Sequence, residues 1–362
     1  MTFLNPVDQL EDYLQMVAPN AIELDEDPEA LRSTLQDLAD LNLLALRVPE
    51  FWQGSGVDEA TFYTFQERIA QYSGALAFLQ TQHQSAASLL VKSQNESLKQ
   101  AYLPSMGNGQ KLVGIGFSHL RREDNPPIKA IAIPGGYRLH GQVPWVTGFS
   151  FFQTFIVAAV LPDGRAVYGM VPFTKTQQSG GEILLSEPMP LAAMNSTQTV
   201  AAHLIEWVLP DSEVAFVQPA EAIHQSDRLN VLNQSFFALG CAQAGLDLLE
   251  NTLRTKPFLP IAPALESLTQ ELNHCRQQIY TAQQHGESFE EKLRLRVWAI
   301  DLSNRCAQAA VTVSSGAANS KYHSAQRIYR EALVFTVSGQ TIAVMEKTLD
   351  RLVRSNPTTS LT

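Results

Sequence analysis

Few residues in this chain stand at spacings that carry chemistry by themselves. Arg327 and Glu331, in Arg327-Ile328-Tyr329-Arg330-Glu331, are four apart and meet on one face of a helix, where they can pair, and Arg330 can reach a neighbouring helix. This reads as a partly buried ion pair that fixes helix packing. Glu331 as a general base is disfavoured, because an arginine beside a carboxylate lowers its basicity. Gly114 and Gly116 lack the third glycine and the following helix of a dinucleotide fingerprint. His83 sits between two glutamines on a helical pattern and reads as a hydrogen-bonded or solvent-facing residue rather than a catalyst. Cys241, Cys275 and Cys306 are odd in number and fit no metal or redox spacing; they read as small core residues in helices. Arg121 and Arg122 read as exposed loop arginines, with a phosphate contact as the alternative. Pro144-Trp145-Val146-Thr147-Gly148 places an aromatic face two residues from a hydroxyl. Alone, the segment reads as a core tryptophan after a turn, followed by an ordinary strand residue.

The elements that hold these residues follow a helix, strand, helix order. Leucines at Leu31, Leu35 and Leu38 predict a helix over 31–46, stopped at Val48-Pro49-Glu50. Further helices are predicted over 59–72 and 75–92. From Lys111 to Phe173 the chain changes character. Apolar runs at 111–118, 155–160 and 167–173, with turns at Pro134-Gly135-Gly136 and Pro162-Asp163-Gly164, predict a small antiparallel barrel or sandwich. Another strand pair ends at Trp207-Val208-Leu209-Pro210. Helices return with Ser226 as the N-cap of a helix carrying Leu229, Leu232, Phe236 and Leu239 and running to Leu253. Within it, Gly240 to Gly245 is a small-residue stretch that permits close helix packing. Ser288 and Glu291 form a capping box before Leu293, Val297 and Ile300. The last helix carries Ile342, Met345, Leu349 and Leu352, and four such helices make an antiparallel bundle.

The order of these pieces resembles the acyl-CoA dehydrogenase family. That family presents a helix ending in Val-Pro-Glu, a Gly-rich loop, two helices, and Lys-Gln-x-Tyr-Leu-Pro. Here the counterparts are Val48-Pro49-Glu50, Trp52 to Asp58, and Lys99-Gln100-Ala101-Tyr102-Leu103-Pro104. Its central domain then shows a strand ending in Thr-Glu, Gly-Tyr-x-Leu-x-Gly and Trp-Ile-Thr-Asn. The matching residues are Phe117-Ser118-His119, Gly136-Tyr137-Arg138-Leu139-His140-Gly141 and Trp145-Val146-Thr147-Gly148. The resemblance implies an α+β multidomain fold: an N-terminal α-helical domain at 1–110, a central small β-barrel at 111–215 and a C-terminal four-helix bundle at 216–362. It implies that Trp145 lies along a flavin ring, that the Thr147 hydroxyl bonds the ring near N5, and that Ser118 donates at the pyrimidine end. Phe117 and Val146 belong to the same two cofactor-binding motifs. A flavin needs such an aromatic face, and donors where negative charge grows on reduction. FAD is the implied cofactor, with FMN or no flavin as alternatives. A homodimer or homotetramer is implied as well, since bundles in the family pair across a twofold.

The chain departs from its relatives where the chemistry is done. Removing the α-proton of an acyl thioester needs a positioned base, and the family uses a glutamate. In one class of members that position corresponds to Ser338, in another to Asn230, and neither is a carboxylate. Gly-Ala-Gly-Ser-Asp is replaced by Arg121-Arg122-Glu123-Asp124-Asn125-Pro126-Pro127. Arg-x-x-Phe-Gly is reduced to Arg254-Thr255-Lys256-Pro257-Phe258, and Gln-x-x-Gly-Gly to Thr312-Val313-Ser314-Ser315-Gly316-Ala317. The catalytic residue is therefore unassigned. Three readings stand: an acyl-CoA dehydrogenase-like flavin-dependent oxidoreductase on an acyl-CoA or similar thioester, a flavin-dependent oxidase or monooxygenase needing no α-proton base, and a flavin-free binding relative.

Composition narrows the partners. At 362 residues the chain has room for two or three core-bearing units. A net charge of −10, from 26 Lys+Arg against 36 Asp+Glu, argues against a general nucleic-acid or anionic-membrane binder. No run approaches the roughly 18 apolar residues of a membrane helix, and the N-terminus lacks the basic and apolar regions of a signal peptide. A soluble, cytoplasmic protein with a small-molecule substrate is the expectation.

Overall fold

The computed structural model describes residues 6–122, 125–258 and 260–354. Six helices come first: α1 (Pro6–Val17), α2 (Ala21–Glu26), α3 (Pro28–Asp40), α4 (Glu59–Tyr72), α5 (Gly74–Val91) and α6 (Glu96–Tyr102). The strands are β1 (Val113–Gly116), β2 (Ile128–Ile133), β3 (Gly136–Val146), β4 (Thr154–Val160), β5 (Arg165–Pro172), β6 (Thr176–Gln178), β7 (Gly181–Leu185), β8 (Val200–Pro210) and β9 (Val214–Pro219). Helices resume with α7 (Ala222–Leu229), α8 (Ser235–Thr255), α9 (Ala262–His285), α10 (Phe289–Ser314), α11 (Ser324–Val337) and α12 (Ile342–Arg354). Two compact units arise from this order. One gathers Glu23–Phe62 and Ala75–Gln225; the other gathers Gln9–Ile22, Tyr63–Gly74 and the described residues from Ser226 onward.

Local signals account for most element ends. Asp27 caps α3 by accepting from the Glu29 amide at 2.9 Å, with Pro28 in the first turn. Asn95 caps α6 through Leu98, and Ser288 caps α10 through the Glu291 amide at 3.3 Å, as its spacing suggested. Two helices differ from expectation. The first does not run to Pro49 but stops at Asp40, where Asn42 takes a left-handed φ of 56°. Leu43 to Leu46 are then buried as irregular chain, because Gln84 of α5 satisfies their backbone at Leu46 N (3.1 Å) and Leu43 O (2.8 Å). The second, expected from Ser226 to Leu253, is two helices broken at 230–234. Ser226 lies inside α7, its carbonyl accepting from the Asn230 amide, and Leu229 is 74% exposed. Asn230 favours a turn by bonding back to Ser226, and Asn233 is held there by the Tyr63 hydroxyl; a leucine periodicity reveals neither.

The sheet runs β6-β7-β8-β3-β2-β4-β5-β9, with β1 attached to β4. It is not the closed barrel expected. The path ends at β6 and β9, and β1 branches from β4 in parallel, as β2 also meets β4. Closure requires the last strand to pair with the first at matched tilt and register. Strand count and spacing along the chain do not specify that pairing. The β2–β3 hairpin turns at Pro134-Gly135, Gly135 taking φ of 80°.

In the first unit, Leu90, Leu98, Leu103 and Met106 pack with Ile156, Ala158, Tyr168 and Met170. His83 ties this core together. Its Nδ1 accepts from the Val113 amide at 2.9 Å, and its Nε2 donates to the Met106 carbonyl at 3.1 Å, so α5 is fastened to the start of β1. It is fully buried rather than solvent-facing. In the second unit, α8 packs against α9, α10 and α11. A Cβ at Gly240 would stand 2.2 Å from the Glu67 carbonyl, and one at Gly245 2.7 Å from the Cys306 carbonyl. The small-residue stretch is thus where α8 meets α4 and α10. The three cysteines are free and buried, and burial pushes their thiols up to about 12. Among the described residues, no helix is long and apolar enough to cross a membrane.

Burial lowers His83 and His119 from 6.5 to about 4. The unfolded chain therefore binds more protons than the folded one between these values, and stability is complete above about pH 6.5 and declines as pH falls toward 4. Urea midpoints measured across that window should fall with pH, and His83→Leu should flatten part of the slope. The same change leaves the Val113 amide and Met106 carbonyl unpaired, costing about 2 kcal/mol or more.

Candidate functional site

The end of β3 is where the sheet presents chemistry. Its ladder with β8 is regular to Val143, shifts, and resumes at Val146. Pro144 lies in the interruption and has no N–H to offer the ladder. An irregularity of this kind re-aims a side chain, and Trp145 stands out 49% exposed between buried Val143 and Val146. Val146 itself pairs with Val200 and points its side chain into the sheet. Thr147 is buried, its hydroxyl 2.9 Å from that of Thr199. Gly148 follows with φ of 95°, its amide on the Thr197 carbonyl; a Cβ there would strike Phe152 at 2.3 Å.

Strand β1 lies along this segment. Its Gly114 leaves a Cβ position 3.4 Å from the Thr147 carbonyl, and Gly116 one 3.1 Å from Val143. Both glycines serve close packing. Beyond β1, Phe117 is half-buried and packs edge-on against Tyr168 at 5.6 Å. Ser118 is exposed, opens the 3₁₀ turn Ser118–Arg121, and makes no hydrogen bond among the described residues. His119 turns inward to donate from Nε2 to the Ala158 carbonyl at 3.0 Å. The sheet-bearing unit thus carries an exposed aromatic face on Trp145, a held hydroxyl on Thr147 and an exposed hydroxyl on Ser118. Thr199, which orients Thr147, carried no separate signal in the sequence.

The second unit holds the other candidates. Arg327 Nη1 donates to both Glu331 oxygens at 2.7 Å, and the Gly74 amide donates to Oε1 at 2.9 Å. Glu331 is fully buried, more so than its spacing implied. With these bonds its carboxylate is an anchor for α11. Asn230 is exposed and bonds Ser226. Ser338 ends α11; its hydroxyl donates to Gln234 Oε1 at 2.8 Å, and its carbonyl accepts from Arg296 Nη2 at 2.7 Å. Arg296 is 1% exposed, and burial alone brings its guanidinium down to about 9. Sequence reasoning passed over it, although a signal was present: Arg296 falls three after Leu293 and four before Ile300, on the apolar face of α10. Arg254 lies exposed beside Asn251 and Glu250. Among the described residues, no His, Cys, Asp or Glu cluster could hold a metal.

Comparison with known proteins gives consistent likenesses. Residues 7–110 match the model for the acyl-CoA dehydrogenase N-terminal domain. A probable acyl-CoA dehydrogenase of Bacillus subtilis is 23% identical over 92% of this chain and 93% of its own length. A 3-(aryl)acrylate reductase of Clostridium sporogenes is 21% identical, again over 92% and 93%. The structure of butyryl-CoA dehydrogenase from Megasphaera elsdenii superposes with a TM-score of 0.77, covering 95% of this chain and 98% of that one at 18% identity.

Removing one member of a buried ion pair strands the other. Glu331→Ala should therefore destabilise the protein by about 3–5 kcal/mol, measured by urea unfolding, while the same substitution at exposed Glu250 should change it by less than about 0.5 kcal/mol.

Proposed function

We propose that this chain is a divergent member of the acyl-CoA dehydrogenase family and, on that premise, a flavin-dependent oxidoreductase acting on an acyl-CoA thioester. The observation that carries the reading is Trp145, a large aromatic held half-exposed by the break in β3 beside the hydroxyl of Thr147. A bound flavin would supply the hydride acceptor or donor for the bond between the α and β carbons of the acyl group. The residues present fit such a ring. Trp145 offers its face, and Thr147, steadied by Thr199, offers a hydroxyl that needs no reorganisation to meet growing negative charge. Ser118 has a hydroxyl free to donate, Phe117 adds apolar surface, and Val146 takes part through its main chain alone. FAD is the finer reading, from the resemblance, with FMN as the alternative. A second reading is favoured by the neutral side chains of Ser338 and Asn230. It keeps the flavin but changes the reaction, to an oxidase or monooxygenase that needs no carboxylate base.

The family architecture supports α8, α9, α10 and α11 as a four-helix bundle and a homodimer or homotetramer as the working form. Tyr329, Leu333 and Val337 lie exposed at intervals of four on α11, and Ile342, Met345, Leu349 and Leu352 are exposed on α12. Between these helices and α10 runs a groove of about 340 Å³ lined by Val297, Ile300, Leu333 and Leu352. An apolar face of this extent is what a second copy would cover. Three free buried thiols suit the reducing cytoplasm.

Two measurements test these readings. Trp145→Ala should weaken flavin binding by about tenfold, or about 1.4 kcal/mol, seen as loss of the visible flavin band on purification; unchanged occupancy and spectrum would remove Trp145 from the site. Leu333→Asp with Leu349→Asp should reduce the mass in light scattering to that of one chain, whereas an unaltered oligomer would place the interface elsewhere.

A further inference from the structure

Val146 and Val200 face each other across β3 and β8, both fully buried, and supply bulk alone. One position beyond them stand Thr147 and Thr199, 7% and 3% exposed, with hydroxyl oxygens 2.9 Å apart. Threonine differs from valine by a hydroxyl in place of a methyl, so bulk does not account for a buried pair of hydroxyls. The pair carries two O–H protons, and the bond between its oxygens uses one of them. Among the described residues neither hydroxyl makes another hydrogen bond. One buried O–H is left without an acceptor, a condition that opposes folding until a ligand accepts from it. Thr147 is the more open of the two, so the remaining proton is its own, and Thr199 is the donor within the pair.

The neighbouring chain holds Thr199 where it stands. Its carbonyl accepts from the Met189 amide at 2.8 Å. The 3₁₀ turn before it, Asn195–Thr197, is fastened to α2: Asp25 Oδ1 accepts from the Met194 amide at 2.6 Å, and the Ser196 hydroxyl donates to the Leu24 carbonyl at 2.5 Å. The Gly148 and Phe149 amides donate to the Thr197 and Gln198 carbonyls at 2.9 and 3.0 Å. With the Val146–Val200 pair, these bonds tie the two segments together on both sides of the hydroxyls.

We propose that Thr199 is a positioning residue for the cofactor: it donates to Thr147 and so directs the Thr147 O–H to an acceptor atom on the flavin ring. The proposal rests on the flavin reading above and gives the hydroxyl pair a direction. While the Thr199 proton occupies a lone pair of Thr147, Thr147 does not turn its own proton toward Thr199. A hydroxyl that accepts one hydrogen bond also donates the next more strongly. Valine at position 199 keeps the bulk and removes the donor, and serine keeps the donor.

The full-length protein, freed of bound flavin, should be titrated with FAD and with FMN by fluorescence quenching, beside Thr199→Val, Thr199→Ser, Thr147→Val and the double valine variant. Thr199→Val should weaken binding of the flavin by about fivefold and move the visible band of the bound ring, and Thr199→Ser should restore both. Because Thr199 acts through Thr147, adding Thr199→Val to Thr147→Val should change neither affinity nor band further. Unchanged affinity and band in Thr199→Val, a loss that serine does not restore, or a further loss in the double variant would each remove Thr199 from this role and leave the flavin reading standing. No binding of either flavin by the unaltered protein would overturn both. Thr199→Ala, judged by the same outcomes, decides the matter if Thr199→Val fails to fold.

Discussion

A neutral imidazole sets the geometry of the sheet-bearing unit. His83 has one nitrogen on the Val113 amide and the other on the Met106 carbonyl, and its side chain is fully buried. Because it is buried and bonded at both nitrogens, its two partners have one low-energy arrangement, and β1 starts at a fixed place relative to α5. The rest of the sheet-borne site is measured from β1. Gly114 sits on the carbonyl of Thr147, Gly116 on Val143, and Phe117 and Ser118 follow directly. Trp145 is aimed outward by the break that Pro144 makes in the ladder, and that break needs the neighbouring strands held firm to be an orientation rather than a disorder.

Two buried arginines in the helical unit show how the same residue type takes opposite roles. Arg327 is matched by Glu331, which the Gly74 amide also holds, so charge and hydrogen bonds are satisfied together. Arg296 has a single carbonyl and two unpaired nitrogens. A buried cation left in that condition opposes folding. The contrast lies in what surrounds each residue, not in its burial.

Much of the fold was legible because its signals are local. The helix over 59–72 was placed after the Trp52 to Asp58 loop, α10 was announced by the Ser288–Glu291 cap, and the β2–β3 hairpin by Pro134-Gly135. The small residues from Gly240 to Gly245 announced close packing, and the structure shows the backbone carbonyls that a side chain would strike. The failures came where a distant residue decided the outcome. Leu43 to Leu46 left the helix because Gln84, nearly forty positions on, serves their backbone. The break at 230–234 and the open sheet were hidden for another reason: periodicity records which face is apolar and says nothing of where a chain turns or which edge closes.

By itself the sequence determined the succession of helices, strands and helices, the exclusion of membrane-spanning helices, the Arg327–Glu331 pairing and the motif that places Trp145 two residues from Thr147. These follow from spacing along one element, where geometry is set by the rise and turn of the backbone. Tertiary structure alone decided that His83 is a buried clip, that Thr147 is oriented by Thr199, that β1 joins the sheet in parallel, and that Arg296 is buried without a carboxylate partner among the described residues. Desolvation and long-range pairing depend on segments brought together from far along the chain. Their energies exist only once the chain is folded.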